Sequence, residues 1–175
     1  MDVTLLSENS IKIKGKKAAF IVDPEKGMQK NNADAIILLK KDSPDLTRVD
    51  DYRVIIDGPG EYEVGRVKIS GIKSGEDTVY SLIVDNVEVL LGKVSALANI
   101  ADKIQEHKVA ILDVDLEIKE SVITAVEPRL AILYGEKASE GAKTLGKDES
   151  SIQRAKKISF NEDKLPEEMG VAVLS

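Results

Sequence analysis

The chain holds one histidine, His107, and no cysteine. Those two counts decide much of its chemistry. Thiolate nucleophiles, disulfides and redox pairs are excluded. A zinc site draws three or four ligands per metal, mainly imidazole and thiolate, and this chain cannot supply them. His107 lies in Gln105-Glu106-His107-Lys108, past a helical pattern and before an apolar run. An imidazole at a surface helix end is favoured electrostatically there; a proton shuttle or ligand is the sharper alternative. Ser43 and Ser95 have no other imidazole to act as their base. Carboxylates are the remaining reactive groups. Asp42, Asp45 and Asp113 are candidates for an oxygen-rich site taking Mg²⁺ or Ca²⁺. Asp115 either joins them or caps a helix. Glu61 and Glu63 fall on one side of a strand, a placement that paired acid and base work needs. No phosphate-binding Gly-x-x-x-x-Gly-Lys-Ser/Thr loop and no dinucleotide fingerprint occurs.

The elements that must carry these groups follow from periodicity. Short strands are expected at Val3–Leu6 and Ser10–Lys14, the second alternating apolar and basic. Wholly apolar runs at Ala18–Val22, Ala35–Leu39, Val109–Leu112 and Leu130–Tyr134 predict strands buried on both faces. Strands at Arg53–Ile56, Arg66–Ile72, Thr78–Val84 and Glu88–Leu91 complete the first half, with Asp85-Asn86 as a tight hairpin turn. After Gly92 the period changes. Leu97, Ile100, Ala101 and Ile104 predict a helix capped by Ser95, and Ile118, Val122, Ile123 and Val126 a second ended by Glu127-Pro128. The polar stretch from Ala138 to Arg154 reads as a loose helix or an excursion over the sheet; closing strands are expected at Lys156–Phe160 and Val171–Leu174. At 175 residues this is one domain, 1–175, of α+β class with two packed sheets and helices outside.

Composition bounds the partners. A net charge of −6 and six aromatic residues without tryptophan argue against nucleic acid, although Lys12, Lys14, Lys16 and Lys17 form a basic run that also serves to protect a sheet edge. No apolar run approaches the roughly 20 residues that span a bilayer, and no secretion signal opens the chain. The expectation is a cytoplasmic protein with no membrane partner and no cofactor, whose partner is an unidentified protein or small molecule, homo-oligomers included.

Gly58-Pro59-Gly60-Glu61-Tyr62-Glu63-Val64, flanked by Asp23-Pro24 and by Asp77-Thr78-Val79-Tyr80, resembles the metallo-β-lactamase superfamily. The likeness is to its small branch of predicted zinc-dependent hydrolases and runs over nearly the full length. It implies an αββα four-layer sandwich of two mainly antiparallel sheets with a cleft at one rim. In that family the loop after the strand matching Ala33–Leu38 reads His-x-His-x-Asp-His and holds two metals that activate a bridging water. Here Lys40 and Asp42 stand at the first two histidines, and Pro44 and Asp45 at the Asp-His pair. Lys93 replaces a bridging aspartate, Gly135 falls near the final histidine, and Glu8 takes the place of a further one. Loss at every matching position implies a non-catalytic, metal-site-degenerate protein kept as a binding or scaffold module. The alternative is a hydrolase with a rearranged carboxylate-only site at Asp42, Asp45 and Asp113; a regulatory subunit for an active relative is a third reading. Lys40 and Lys93, as donors only, are expected to pair with Asp42 and Asp45 in place of metal.

Overall fold

The computed structural model describes residues 1–40, 43–145 and 148–175. The first half begins with β1 (Asp2–Leu5), β2 (Ile11–Lys14) and β3 (Ala19–Val22). It continues through β4 (Asn31–Asn32), β5 (Ala35–Ile37), β6 (Val49–Asp50) and β7 (Val54–Ile56). Next come β8 (Gly60–Val64), β9 (Val67–Ser74), β10 (Asp77–Val84) and β11 (Val87–Lys93). Helix α1 (Val94–Ala98), β12 (Val109–Asp113), α2 (Glu120–Thr124), β13 (Leu130–Tyr134) and α3 (Ala138–Thr144) follow. The chain closes with β14 (Gln153–Ala155), β15 (Lys157–Ser159) and β16 (Gly170–Leu174).

Two sheets face each other. The first has the order β15-β1-β2-β3-β5-β7 and the second β14-β16-β13-β12-β11-β10-β9-β8. Antiparallel pairing holds for β15 to β3 and for β8 to β11. From β3 through β7, and from β11 to β14, every pair is parallel. Both sheets are therefore mixed, which refines the mainly antiparallel expectation. In the second sheet the cause is the helical period after Gly92, since parallel neighbours need crossover connections; in the first, loops and the β4–β6 ribbon make the crossovers between β3, β5 and β7.

The alternation of each strand decides what the sheets bury. Phe20, Val22, Ala35 and Ile37 from the first sheet meet Leu82, Val89, Leu91, Ile111 and Ile132 from the second in one continuous buried cluster. The second sheet's outer face, including Val79, Leu90, Ala110, Leu112 and Leu133, is covered by Leu97, Ile118, Ile123 and Ala142 of the crossover and helical segments. Truncating one such Leu or Ile to Ala costs about 2–5 kcal/mol. On the first sheet's outer face, Ile21 and Ile36 pack under Met28, Ala33 and Val49, from loops and a two-stranded ribbon. Among the described residues that side has a single 3-10 turn, Leu46–Arg48, in place of a helix.

The helices are shorter than their periodicity predicts. Leu97, Ile100 and Ile104 are all buried, but Ile100 leaves the helical region at φ −132 and α1 is only five residues long. Its N-cap is Lys93, not Ser95. Between Ala138 and Arg154 the chain forms α3 and then β14, which pairs in parallel with β16. Among the described residues, no helix is long and apolar enough to cross a membrane.

Candidate functional site

Strands β11, β12 and β13 are parallel, so their C-terminal ends meet at one rim. Lys93, Asp113 and Tyr134 are direct neighbours across the two ladders. Each shares the parity of Leu91, Ile111 and Ile132 in the inter-sheet core, so all three face the first sheet. Carboxyl ends of parallel strands are where open sheets place their ligand crevices. The core is apolar along its length and turns polar in its last layer.

The first sheet supplies the opposite wall. Asp23 follows β3 with φ 44, a left-handed turn that swings its side chain beneath the next loop. Its Oδ1 accepts from Leu39 N at 2.9 Å and from Lys40 N at 3.5 Å. Its Oδ2 is buried without a hydrogen-bond partner among the described residues, as is the Tyr134 hydroxyl. Tyr80 on β10 crosses the sandwich and donates to Leu38 O at 3.1 Å, tying the second sheet to the loop that carries Lys40.

Burial raises the Asp23 carboxyl to about 7, against the opposing backbone bonds from Leu39 and Lys40 and the Lys40 charge; the Asp113 charge adds to the rise. Burial likewise raises Asp113 to about 6; Lys40 and Lys93 oppose this, while Asp115 and Asp77 reinforce it. The Tyr134 phenol is held protonated by full burial and by both carboxylates.

Lys93 anchors the remainder. Its Nζ lies 3.3 and 3.4 Å from the two oxygens of Asp77 and 3.9 Å from Asp115 Oδ2. Asp115 also accepts from Ser95 N at 3.0 Å and from the Ser95 hydroxyl. It thus satisfies the open end of α1, not its own downstream helix. Gly135 has φ 91, and a Cβ there would collide with the Asp113 carboxylate. Glycine is required where the backbone passes this close.

The other expected residues fall elsewhere. Asp45 caps the 3-10 turn, accepting from Thr47 N and pairing with Arg48 at 3.4 Å. Its pKa is lowered first by the Thr47 hydroxyl. Asp42 lies outside the described residues. Among the described residues Lys93 pairs with Asp77 and Asp115, which corrects the expected pairing with Asp45. Pro44 and Ser43 line a pocket of about 170 Å³ with Asp23, Pro24, Glu25 and Lys40. Glu8 is exposed between β1 and β2. Glu61 and Glu63 are exposed on β8, Glu61 accepting from Ser70 Oγ at 2.6 Å.

His107 is buried, not at the surface as expected. Its Nδ1 donates to Gln105 O at 2.7 Å, and its Nε2 lies 2.8 Å from Ser81 Oγ. Asp23, Asp77 and Tyr134 escaped notice as site residues. Two of them carried a signal: like Asp113, Asp23 and Tyr134 are polar groups ending wholly apolar strands, whereas Asp77 opens β10 and has no such mark.

Neither a family model nor a curated protein matches the sequence. Solved structures do. A protein inferred to be a Zn-dependent hydrolase of the metallo-β-lactamase superfamily, from Thermotoga maritima, superposes with a TM-score of 0.77 at 20% identity, covering 98% of this chain and 97% of that one. The chain has the metallo-β-lactamase fold. A protein inferred to be a metal-dependent hydrolase from Parabacteroides distasonis shares this fold at a TM-score of 0.60 and 13% identity, over 97% of this chain and 91% of its own. A diphosphatase from the PhnP family does so at 0.52 and 10%, over 96% and 81%. At such identities the likeness concerns architecture, and the neighbours' chemistry remains theirs.

A metallo-β-lactamase fold implies a metal pair at this rim, and the residues do not fit one. Among the described residues no group of three or more His, Cys, Asp or Glu side chains is arranged to hold an ion. The rim offers no imidazole or thiolate, and the Lys93 ammonium lies against Asp77 and Asp115. An ammonium cannot ligate a cation and repels it.

Proposed function

We propose that this protein is a non-catalytic member of the fold that uses the rim as a metal-independent binding site for a small polar ligand. The observation that carries the reading is Lys93. Its ammonium is held by Asp77 and Asp115 and neighbours Asp113 across the ladder. A fixed cation of the protein's own thus stands among the rim's carboxylates. The adjoining pocket, with Asp23 buried in its wall, presents the Lys40 ammonium, the Ser43 hydroxyl and the Glu25 carboxyl to a ligand of about 170 Å³. That set suits hydrogen bonding and charge recognition. Among the described residues no hydrogen bond joins the Ser43 hydroxyl to a carboxylate or to His107, the pairing that hydrolysis without metal requires.

Elemental analysis of the purified protein, combined with thermal unfolding in Zn²⁺, Mn²⁺, Mg²⁺ and Ca²⁺, tests the reading. Substoichiometric metal and an unmoved midpoint are expected, with no turnover of phosphodiester or ester substrates. A bound ion at one or two equivalents per chain, with turnover that a chelator abolishes, would overturn it.

A further inference from the structure

The opposite end of the sandwich carries charge of a different kind. Strands β10 and β11 run between the rim and a hairpin turn at Asp85-Asn86, where both residues have positive φ, 52 and 68. The β8–β9 turn, Gly65-Arg66, has the same character with φ 56 and 65. The β2–β3 turn, from Gly15 to Ala18, closes with Gly15 N donating to Ala18 O at 2.9 Å.

These three turns come from both sheets and are wedged together. A Cβ at Gly15 would lie 2.7 Å from Val84 Cγ1, and one at Gly65 would lie 2.8 Å from Ala18 Cβ and 2.9 Å from Lys17 O. Lys16 N donates to both oxygens of Asp85, at 2.9 and 3.1 Å. The turns therefore form a pre-set wall, and a pre-set site loses little ordering entropy on binding.

Around that wall lies a cavity of about 310 Å³ lined by Lys16, Lys17, Arg66, Val67, Ile83, Asp85 and Asn86. Among the described residues none of the three cations has an ion-pair partner. The single carboxylate, Asp85, is occupied by Lys16 N and by the Met1 ammonium at 3.6 Å. Three unpaired cations in one cavity are conspicuous in a chain of net charge −6. Ile83, 45% exposed and one of two exposed large hydrophobic residues among those described, adds an apolar wall.

We propose that this cavity binds a small phosphomonoester with an apolar body. Lys16, Lys17 and Arg66 take the dianion, and the exposed Ile83 takes the body. Arginine and lysine together suit phosphate, the first by its fork and the second as a point charge. The site lies at the far end of β10 and β11 from the rim, so its failure and that of the rim reading are separable.

Phenyl phosphate is the probe, titrated by calorimetry and by amide chemical shifts at low ionic strength, beside inorganic phosphate, glycerol 3-phosphate and benzyl alcohol. Saturable one-to-one binding is expected, with shifts confined to the three turns and Ile83. Lys17→Gln and Arg66→Asn should each weaken it about tenfold, corresponding to about 1.4 kcal/mol. Asparagine is chosen because it tolerates left-handed backbone. Lys119→Gln, on a distant exposed segment, should leave affinity unchanged. Absence of saturable binding, or affinity indifferent to Lys17→Gln and Arg66→Asn, overturns the site. Phosphate or glycerol 3-phosphate binding as tightly as phenyl phosphate overturns the role given to the apolar wall.

Discussion

The two ends of this sandwich handle charge in opposite ways. At the rim, Lys93 is partnered by Asp77 and Asp115, and Asp113 and Asp23 are buried enough for their carboxyls to hold protons near neutrality. At the turn end, Lys16, Lys17 and Arg66 are exposed and line a cavity without ion-pair partners among the described residues. Paired, half-buried charge is committed to the fold, and removing one member leaves the other uncompensated. Exposed, unpaired charge contributes little to stability and remains available to a ligand. Function is thus best sought at both ends, by different experiments.

The sharpest way to break the contrast is Gly135→Val. A β-branched residue at φ 91, against the Asp113 carboxylate, should cost more than about 3 kcal/mol in urea unfolding. A loss below about 1 kcal/mol would mean that the rim is looser than described. Lys93→Met comes next. It leaves Asp77, Asp113 and Asp115 without the ammonium they share and should cost roughly 1–3 kcal/mol at pH 8. The share of the deficit that comes from Asp113 should shrink as pH falls below about 6 and its carboxyl protonates, and an unchanged unfolding midpoint would sink the rim account.

Asp23→Asn sharpens the same comparison through pH. A carboxyl raised from 3.8 to about 7 binds more protons folded than unfolded between those values, so stability falls as pH rises through that window. The variant should flatten that slope and gain on the order of 2 kcal/mol over the parent at pH 8. A parent stability that rises from pH 4 to 7, unaltered in the variant, would show that Asp23 ionises freely. The smallest effect belongs to the other end: Lys17→Gln should change stability by less than about 0.5 kcal/mol. A larger loss would make that end structural as well.

Much of the strand framework was legible. The apolar runs became β3, β5, β12 and β13, and Asp85-Asn86 makes the turn that its residue types favour. The helices were legible as buried positions but not as lengths. Leu97, Ile100 and Ile104 pack as their spacing predicts, yet α1 ends early, because tertiary burial rewards side-chain placement and not helical continuity. Ser95 shows the limit of local rules: its hydroxyl meets Asp115, twenty residues on, instead of capping its own helix. His107 shows it again. A polar tetrapeptide suggests exposure, and only the approach of Ser81 and Gln105 makes burial affordable.

The amino-acid sequence by itself determined what chemistry is missing. With one histidine and no cysteine, no folding of this chain can assemble a histidine-rich metal cage. It also determined the strand pattern, because alternation and apolar runs are local properties. Only the tertiary structure decided who neighbours whom. The register that aligns Lys93, Asp113 and Tyr134, the turn that sends Asp23 under Leu39, and the wedging of three hairpin turns all join residues far apart in sequence. Charges acquire partners, and carboxyls their altered affinity for protons, from distance and burial, which exist only once both sheets have closed on their common core.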